Sequence, residues 1–488
     1  MKNKLFTLFT IIMFVFNASA QECNCSESFD WMVNTFEKND AGFQYVIDKK
    51  GEDEYKKHTA LYKEKAKGIT NLNDCQAIMY GWLRYFRPGH IFVNIKESGK
   101  NGKEPSDEEI RLQYKNAKTI DLTEKQLINS LEKKHNKNPI EGVWSNGDYS
   151  IGIISEEKSS KNFTAFIIKA DSVYWLPKQI KAEFTLNDDA KIFSVDYYMR
   201  NHSKEVTQAK FIDASCTLLS LYGNYWTRIY PKSALTKKED LLISFSKSNL
   251  PFVEKLSDKT IYLRIPSFAS EQKKNIDSVL AKYDKQISST QNLIIDIRNG
   301  TGGSDDSYSN LVPYLYTNPI RGMGVQLLAT ELNAKGYERY AKQYSDTENI
   351  NYCNGVAAKM RANLGKFIAL SDKTYGIDSL AKVLPYPQKV AVICNQNNGS
   401  TDEQFLLEAK QSRKVKVFGR PTGGMLDISN MNVIDFPNGK FVLGYCMSKS
   451  YRIPNYCIDG VGIQPDYFID DAISDEDWIE YTKSVLEQ

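Results

Sequence analysis

The sequence has 488 residues, which at about 150 residues per domain allows two to four domains. Its 41% hydrophobic and 25% charged residues are ordinary globular values, so intrinsic disorder as the main state is excluded. With a net charge of +3 and no concentrated basic block, the chain is not expected to bind nucleic acid.

The first 20 residues have the pattern of a secretory signal peptide. Lys2 and Lys4 form a basic start, and an apolar run covers Leu5–Phe16. Small residues at Ala18–Ala20 then offer a cleavage site. The apolar run is too short to span a bilayer easily, which disfavours the alternative of a membrane anchor. We therefore expect residues 1–20 to be removed and the mature chain to be exported, with no integral membrane segment.

All 8 cysteines follow the predicted signal peptide, in a part of the chain where disulfides are permitted. Two pairings are open, Cys446 with Cys457 and either Cys23 or Cys25 with Cys75, because connectivity cannot be derived from sequence. A zinc site needs Cys or His pairs at ligand spacing, and neither the close Cys23 and Cys25 nor the 4 scattered His residues provide them. No metal or other cofactor is expected.

Residues 21–138 are predicted to be a helical region followed by a linker. Apolar residues recur there at helical spacing. The run Arg87–His90 predicts a helix end, and Ile91–Ile95 predicts a strand. The polar stretch 96–138 predicts a linker with one short helix around Thr123–Lys134.

Residues 139–235 are predicted to form an antiparallel β domain, either a small barrel or a curved sheet. Short segments rich in β-branched and aromatic residues alternate there with Asn-Gly and Asn-Asp turn signals. Examples are Tyr149–Ile154, Phe163–Ile168 and Ile192–Tyr198. Aromatic side chains also line ligand sites, but core packing is the favoured interpretation here.

Residues 236–488 are predicted to be an α/β core. Strands and amphipathic helices alternate, which indicates βαβ units in a parallel or mixed sheet. The strands are predicted at Thr260–Ile265, Asn292–Ile297, Lys389–Cys394 and Val415–Phe418, and the helices at Glu271–Gln286 and Thr401–Ser412.

The first of two unusual loops follows a buried strand of this core, where α/β sheets form their sites. The loop Asp296–Ser304 contains Gly300, Gly302 and Gly303, which let backbone N–H groups approach a ligand closely. It is predicted either to bind an anion, as a phosphate cradle or half of an oxyanion hole, or to be a structural turn. It is not a P-loop, because the Gly-Lys-Ser/Thr ending is missing.

The second loop, Asn395–Glu403, places Ser400 at the junction of loop and helix. Ser400 is interpreted either as a side-chain N-cap or as a nucleophile whose oxyanion lies on the helix N-terminus. A serine nucleophile needs a base. His90 is the candidate because it lies in a Pro-Gly loop, whereas the other three His residues lie in polar stretches. The alternative for His90 is a structural or surface histidine.

Four motifs in a fixed order carry a family resemblance. They are Asp296–Gly303, Asn398–Glu403, Gly419–Gly424 and Gly460–Asp466. In this order they resemble the tail-specific, or C-terminal processing, serine peptidases. The resemblance covers roughly residues 240–470, where it implies a ClpP/crotonase-like α/β core, and extends more loosely to the N-terminal helices through His90. The antiparallel β domain is not part of it, so the predicted fold is this core preceded by the N-terminal helical segment and a separate β domain.

Within that family, the chain is similar to the tricorn-core-like type, which uses a Ser/His pair. In the Ser/Lys type a lysine follows the Gly-x-x-Thr-x-Gly motif, and this chain has Met425 there, which cannot act as a base. The family's second serine precedes the histidine, and this chain has Gly89 at that position. A PDZ module, which the family usually carries, is not recognisable.

The resemblance implies a role for each candidate site residue. Ser400 is the nucleophile, His90 is the base, and Asp459 is the acidic partner that orients His90. The implied oxyanion hole consists of the backbone N–H groups of Thr401 and of Gly302 or Gly303.

We therefore expect a serine-type endopeptidase that cleaves peptides or unfolded proteins through an acyl-enzyme on Ser400. The signal peptide and the resemblance together imply a periplasmic or secreted protein. One alternative is a catalytically inactive member of the family that binds a hydrophobic ligand or a peptide. A further alternative is an esterase that uses the same serine.

Overall fold

The structure, a computed structural model, describes residues 23–96, 106–156, 161–188 and 192–488. The predicted signal peptide, residues 1–20, lies outside the described residues. In the described part of the chain, every helix is too short or too polar to cross a membrane.

The described residues form thirteen α-helices. Their bounds are α1 (Cys25–Asn39), α2 (Phe43–Lys50), α3 (Glu52–Ala66), α4 (Leu72–Leu83), α5 (Asp107–Tyr114), α6 (Glu124–Lys133), α7 (Lys237–Lys247), α8 (Lys273–Ile287), α9 (Val312–Leu315), α10 (Glu331–Ala341), α11 (Thr347–Arg361), α12 (Thr401–Ala409) and α13 (Trp478–Glu487). Two 3₁₀ segments cover Ser270–Gln272 and Asp305–Leu311.

Twenty-one β-strands lie between these helices in the described residues. Their bounds are β1 (Phe92–Ile95), β2 (Gly142–Ser145), β3 (Ser150–Ser155), β4 (Asn162–Lys169), β5 (Ile180–Leu186), β6 (Ile192–Tyr198), β7 (Lys204–Phe211), β8 (Leu218–Leu221), β9 (Asn224–Tyr230), β10 (Phe252–Lys255), β11 (Thr260–Arg264), β12 (Asn292–Asp296), β13 (Ile320–Met323), β14 (Val325–Leu328), β15 (Phe367–Ala369), β16 (Tyr375–Asp378), β17 (Lys389–Cys394), β18 (Val415–Gly419), β19 (Ile428–Asp435), β20 (Phe441–Ser450) and β21 (Tyr467–Phe468).

The chain divides into two compact units, and the first comprises 1–99, 320–378 and 423–463. Its main sheet is antiparallel, with the order β1-β20-β14-β15, and β19 pairs with β20 as well. The core of this unit contains Phe36 and Trp82, whose side chains are fully buried. The loop that carries His90 leads directly into β1 of this sheet.

One disulfide, Cys25–Cys75, joins α1 to α4 in the first unit. This is one of the two pairings left open for Cys75, and Cys23 is a free, buried thiol. The pairing of Cys446 with Cys457 is wrong, because both are free thiols. Cys446 is buried, and its sulfur contacts the backbone carbonyl groups of His90 and Ile428.

The second unit comprises 100–319, 379–422 and 464–488. Its six-stranded sheet has the order β10-β11-β12-β17-β18-β21 and is parallel except for β10. All residues of β11 and β12 are buried, as expected for a parallel sheet covered on both faces. A mixed α/β fold is therefore confirmed, whereas the ClpP/crotonase-like layout of the core stays a prediction.

Two helices of the second unit connect neighbouring parallel strands. The helix α8 connects β11 to β12, and α12 connects β17 to β18. In α8, Ile276, Leu280 and Ile287 are buried at helical spacing, which gives the helix one apolar face. Parallel strands joined in this way end at the same edge of the sheet, so the loops after β12 and β17 lie side by side.

The strands β2 to β9 form a closed antiparallel barrel, also in the second unit. The cluster of buried residues in this barrel includes Trp144, Trp175 and Trp226, each fully buried. The aromatic residues of the segment predicted as a β domain thus contribute to core packing.

Candidate active site

Ser400 lies at a sharp turn between β17 and α12. Its backbone has φ 58° and ψ −124°, a conformation that non-glycine residues rarely adopt. Its side chain makes no capping hydrogen bond to the helix that begins at Thr401, so the interpretation of Ser400 as a side-chain N-cap is wrong. A partly exposed serine on a strained strand-to-helix turn is an arrangement that would suit a nucleophile.

A buried amide holds this turn in place. The side-chain oxygen of Asn398 accepts a hydrogen bond from the Asn395 N–H at 2.8 Å. Its Nδ2 donates to the Ile297 carbonyl at 2.6 Å and to Asp402 Oδ2 at 2.9 Å. The Ser400 turn is thereby tied both to the glycine loop after β12 and to its own helix.

The glycine loop places Gly302 directly against Ser400. Gly302 has φ 85°, and a Cβ atom built on it would lie 2.7 Å from Ser400 Cβ and 3.1 Å from the Thr401 nitrogen. Gly303 has φ 147°, and a Cβ atom there would lie 2.2 Å from the Phe268 carbonyl. Both positions therefore require glycine, and Ser400, Thr401 and Gly302 lie together at one point.

A buried ion cluster supports the start of the glycine loop. Arg298 Nη2 lies 2.7 Å from Asp296 Oδ2, and the Tyr262 hydroxyl donates to the same carboxylate at 3.1 Å. Burial raises the pKa of Asp296, but the charges of Arg298 and Arg264 outweigh burial and hold this pKa below its ordinary value. The cluster is thus ionised at neutral pH.

In the first unit, His90 has an orientation suited to a base. Its backbone φ is 56°, and its Nδ1 lies 2.8 Å from the Ile428 carbonyl oxygen. A carbonyl oxygen only accepts, so Nδ1 carries the proton and Nε2 of the neutral ring keeps its lone pair. Burial lowers the pKa of His90, as does the charge of Arg87, while the Ile428 carbonyl opposes the shift. The neutral, basic form is therefore favoured.

The His90 loop is anchored by a buried ion pair. Arg87 Nη2 lies 2.6 Å from Asp40 Oδ2, and both side chains are almost fully buried. The same guanidinium donates to the His90 carbonyl at 3.1 Å. Asp40 also accepts the backbone N–H of Cys446, which connects the loop to β20.

The structure places a carbonyl, and not the carboxylate of Asp459, at His90 Nδ1. Asp459 accepts backbone N–H groups of Leu426 at 2.7 Å, Asp427 at 2.6 Å and Ile428 at 3.2 Å. The expected direct contact of Asp459 with His90 is therefore replaced by an indirect one, because Asp459 holds the Ile428 segment whose carbonyl binds the ring. Burial raises the pKa of Asp459 to about 6.

Gly89 and Met425, the two residues that depart from the family pattern, lie against each other. A Cβ atom built on Gly89 would lie 2.0 Å from the sulfur of Met425. Met425 stands where a lysine would follow the Gly-x-x-Thr-x-Gly motif, and Gly89 stands where a second serine would precede the histidine. A side chain at position 89 would therefore have to displace the Met425 side chain.

The predicted site residues form two groups, one in each unit. Ser400, Thr401 and Gly302 are brought together in the second unit, with Gly303 next in the loop. His90 and Asp459 are brought to the same segment of the first unit, at Ile428.

Sequence reasoning missed Asp402 and Asn398. Both are almost fully buried, with exposures of 1% and 0%. Acidic residues are common in the first turn of a helix because their negative charge interacts favourably with the helix dipole. An aspartate at this position therefore does not indicate a functional site in the sequence. The burial of the Asp402 carboxylate follows only from the packing of the glycine loop against α12.

Residues 259–469 match the sequence profile of peptidase family S41. None of the curated proteins is a detectable sequence relative of this chain. The matched segment contains Ser400, Thr401, both glycines and Asp459, whereas His90 lies outside it.

Several solved structures resemble the chain at low sequence identity. Mature CPAF complexed with lactacystin has 12% identity and a TM-score of 0.49, and the match covers 95% of this chain and 97% of that one. The photosystem II D1 C-terminal processing protease has 12% identity and a TM-score of 0.39, with 96% and 98% covered. The tricorn protease has 12% identity and a TM-score of 0.41, with 95% and 36% covered. All three TM-scores are below 0.5, so nothing about the activity of this chain follows from them.

The family match and the arrangement of the two loops concern the same residues. The matched segment begins just before β11 and ends just after β21, and thus spans the five parallel strands of the sheet with both loops of the site. Over residues 259–469 the chain is therefore similar to peptidase family S41, and this supports a peptidase.

Proposed function

We propose that this protein is an exported serine-type endopeptidase that cleaves peptides or unfolded proteins through an acyl-enzyme on Ser400. The observation that carries the proposal is the strained Ser400 turn, with φ 58°, packed against Gly302 of the glycine loop. The match to peptidase family S41 over the same residues supports peptide bonds as the target.

The proposed reaction is acyl transfer in two steps. His90 Nε2 takes the hydroxyl proton of Ser400 as the serine oxygen attacks the peptide carbonyl carbon. The C–N bond then breaks, and the proton passes from His90 to the leaving amine. Water then attacks the acyl carbon while His90 takes its proton. The ester C–O bond to Ser400 breaks, His90 returns the proton to the serine oxygen, and the carboxylic acid is released.

The oxyanion of each tetrahedral intermediate is proposed to bind backbone N–H groups of Thr401 and of Gly302 or Gly303. Thr401 is the first residue of α12, and the first N–H groups of a helix have no partner inside the helix. The helix dipole adds a favourable field for negative charge at the same position. The Thr401 hydroxyl donates to Asp305 at 2.9 Å, which fixes the start of the helix.

Within this proposal Asp459 is a positioning residue. It holds the N–H of Ile428, and the Ile428 carbonyl holds the Nδ1 proton of His90. This keeps Nε2 available for the serine proton.

A fluorophosphonate serine-hydrolase probe tests the proposal, because it reacts only with an activated serine. We expect the wild-type protein to be labelled, and both Ser400→Ala and His90→Ala to lose labelling. Ser289→Ala and His135→Ala are matched controls at exposed positions and should be labelled like the wild type.

The pattern of labelling separates the alternatives. Loss in Ser400→Ala alone would keep the nucleophile and exclude His90 as its base. Labelling together with ester cleavage but no peptide cleavage would indicate an esterase. A wild-type protein that is never labelled would refute the proposal and favour an inactive fold that binds a ligand or peptide.

A further inference from the structure

A carboxylate lies buried against the glycine loop. Asp402 is two residues beyond Ser400, in the first turn of α12, and its exposure is 1%. A Cβ atom built on Gly300 would lie 2.6 Å from Asp402 Oδ2 and 3.0 Å from its Oδ1. The backbone of the loop and the carboxyl group are therefore in direct contact.

The hydrogen bonding of this carboxyl group is incomplete. Its Oδ2 accepts from Asn398 Nδ2 at 2.9 Å, whereas its Oδ1 has no hydrogen-bond partner in the described chain. The backbone N–H groups of Gly302 and Gly399 face the carboxyl group and favour its charged form. Burying a carboxylate oxygen without a hydrogen-bond partner costs free energy, so a hydrogen bond from a neighbouring N–H group is favourable. Asp402 and the proposed oxyanion therefore compete as acceptors for the N–H group of Gly302.

We propose that Asp402 is the positioning residue of the oxyanion hole, and that its protonation state decides whether the Gly302 N–H is directed at the carboxylate or at the substrate oxygen. This inference rests on the proposed function. A charged Asp402 holds the N–H and also places a negative charge close to the developing oxyanion. A neutral Asp402 does neither, so the protonated form is the active one.

The surroundings of Asp402 bring the protonation equilibrium of its carboxyl group near neutral pH. Burial raises the pKa of Asp402 to about 7, against the opposing hydrogen bond from Asn398. The charge of Glu403 raises the pKa as well. The titratable and charged groups that interact with Asp402 include Glu403 on α12, Arg264 on β11 and Cys394 on β17. Asp305, on the 3₁₀ segment after the glycine loop, accepts the hydroxyl of the neighbouring Thr401.

The proposal predicts a fall in activity at alkaline pH. Deprotonation of Asp402 lowers the rate, whereas deprotonation of His90 raises it, so the profile is bell-shaped. With a midpoint near pH 7, the wild-type rate of fluorophosphonate labelling should fall to about a tenth of its maximum at pH 8. Asp402→Asn, which has the same shape and is always neutral, should keep the maximal rate at that pH.

Two further variants make the test specific. Asp258→Asn is the control, since Asp258 is an exposed carboxylate paired with Lys255, and it should follow the wild-type profile. Glu403→Gln removes the neighbouring negative charge and should move the alkaline limb to lower pH. Glutamine can still accept the hydrogen bond that Thr422 donates to Glu403.

Hydrogen–deuterium exchange of the segment 298–304 gives a readout that does not need activity. As the pH rises through 7, this segment should become more protected from exchange in the wild type than in Asp402→Asn. The reason is that only the wild type gains a carboxylate charge that binds the loop N–H. Circular dichroism at each pH checks that the variants are folded.

Each outcome decides one question. An alkaline limb that is unchanged in Asp402→Asn, or exchange that is the same in both proteins, would overturn the role of Asp402. A uniform loss of rate at every pH in Asp402→Asn, with the limb retained, would show a purely structural residue and overturn it as well. No labelling at any pH together with pH-dependent exchange would refute the serine peptidase while supporting control of the loop by Asp402.

Discussion

His90, Asn299 and Ser400 share a backbone conformation that few non-glycine residues adopt, with φ angles of 56°, 63° and 58°. Each such residue costs about 1–3 kcal/mol and persists only where its neighbours determine the conformation. Arg87 binds the His90 carbonyl, and the Asn395 side chain bonds Asn299 at its N–H and at its amide oxygen. The proposed nucleophile and base thus both have a positive φ angle, a feature that other residues of the described chain, such as Ser172 and Tyr222, share.

The pH dependence at acidic pH is predicted from His90. His90 must be neutral to accept the serine proton, and burial lowers its pKa below the ordinary value of about 6.5. We therefore expect the acid limb of kcat/KM to have its midpoint below pH 6.5, as measured with a peptide substrate between pH 4.5 and 7. His135→Ala should leave this limb unchanged. A midpoint at or above pH 6.5 would contradict the buried, carbonyl-bound imidazole.

At the scale of elements, two neighbouring parallel strands position the proposed nucleophile. The strands β12 and β17 pair in register from Asn292 with Lys389 to Asp296 with Ile393. Their following loops therefore emerge together, and Gly302 meets Ser400 although the two are far apart in sequence. The proposed nucleophile and oxyanion donors at this edge of the sheet are one hydroxyl and backbone N–H groups, and the proposed base, His90, lies in the other unit.

Substitution of Gly302 tests this arrangement. In Gly302→Ala the new methyl group would meet Ser400 and the backbone would have to leave φ 85°. We expect about a 10²–10³-fold loss of fluorophosphonate labelling, the size of a lost oxyanion donor. Gly355→Ala is the matched control, because a Cβ atom there, inside α11, meets nothing within 4 Å. It should be labelled normally and be more stable by about 0.5–1 kcal/mol. Normal labelling of Gly302→Ala would refute the role of the loop.

At the scale of the whole molecule, segments that are distant in sequence form each compact unit. The first unit combines an N-terminal segment with 320–378 and 423–463. The disulfide Cys25–Cys75 closes a loop with a sequence separation of 50 residues inside this unit. Disulfides persist in oxidising compartments, which agrees with the proposal of an exported protein.

Loss of this disulfide should destabilise the protein. We expect Cys75→Ala to lower the free energy of unfolding by about 2–4 kcal/mol, as measured by chemical denaturation under non-reducing conditions. Cys216→Ser changes a cysteine outside the disulfide and should have a much smaller effect.

Mass spectrometry of the exported protein should give an N-terminus at Gln21, and an intact Met1 in the exported fraction would contradict signal cleavage.

Local sequence patterns were sufficient for the elements that depend on local chemistry. Alternation of strands and amphipathic helices predicted β11, β12, β17, β18, α8 and α12, because hydrophobic periodicity reports directly which face is buried. The glycines of the loop and Ser400 at the helix start were recognised because a tight backbone turn restricts the residue types that fit it. The four ordered motifs likewise predicted a resemblance to serine peptidases, and residues 259–469 match peptidase family S41.

Only the tertiary structure decided the contacts between distant segments. It selected Cys25 as the partner of Cys75, placed the Ile428 carbonyl at His90 Nδ1, and put Asp459 behind that carbonyl. It also buried Asp402 under the glycine loop. These contacts depend on which backbone groups meet across two chain segments, and backbone N–H and carbonyl groups are the same at every position of a sequence. Side-chain identity therefore predicts that a residue can act, while the fold determines which group it acts on.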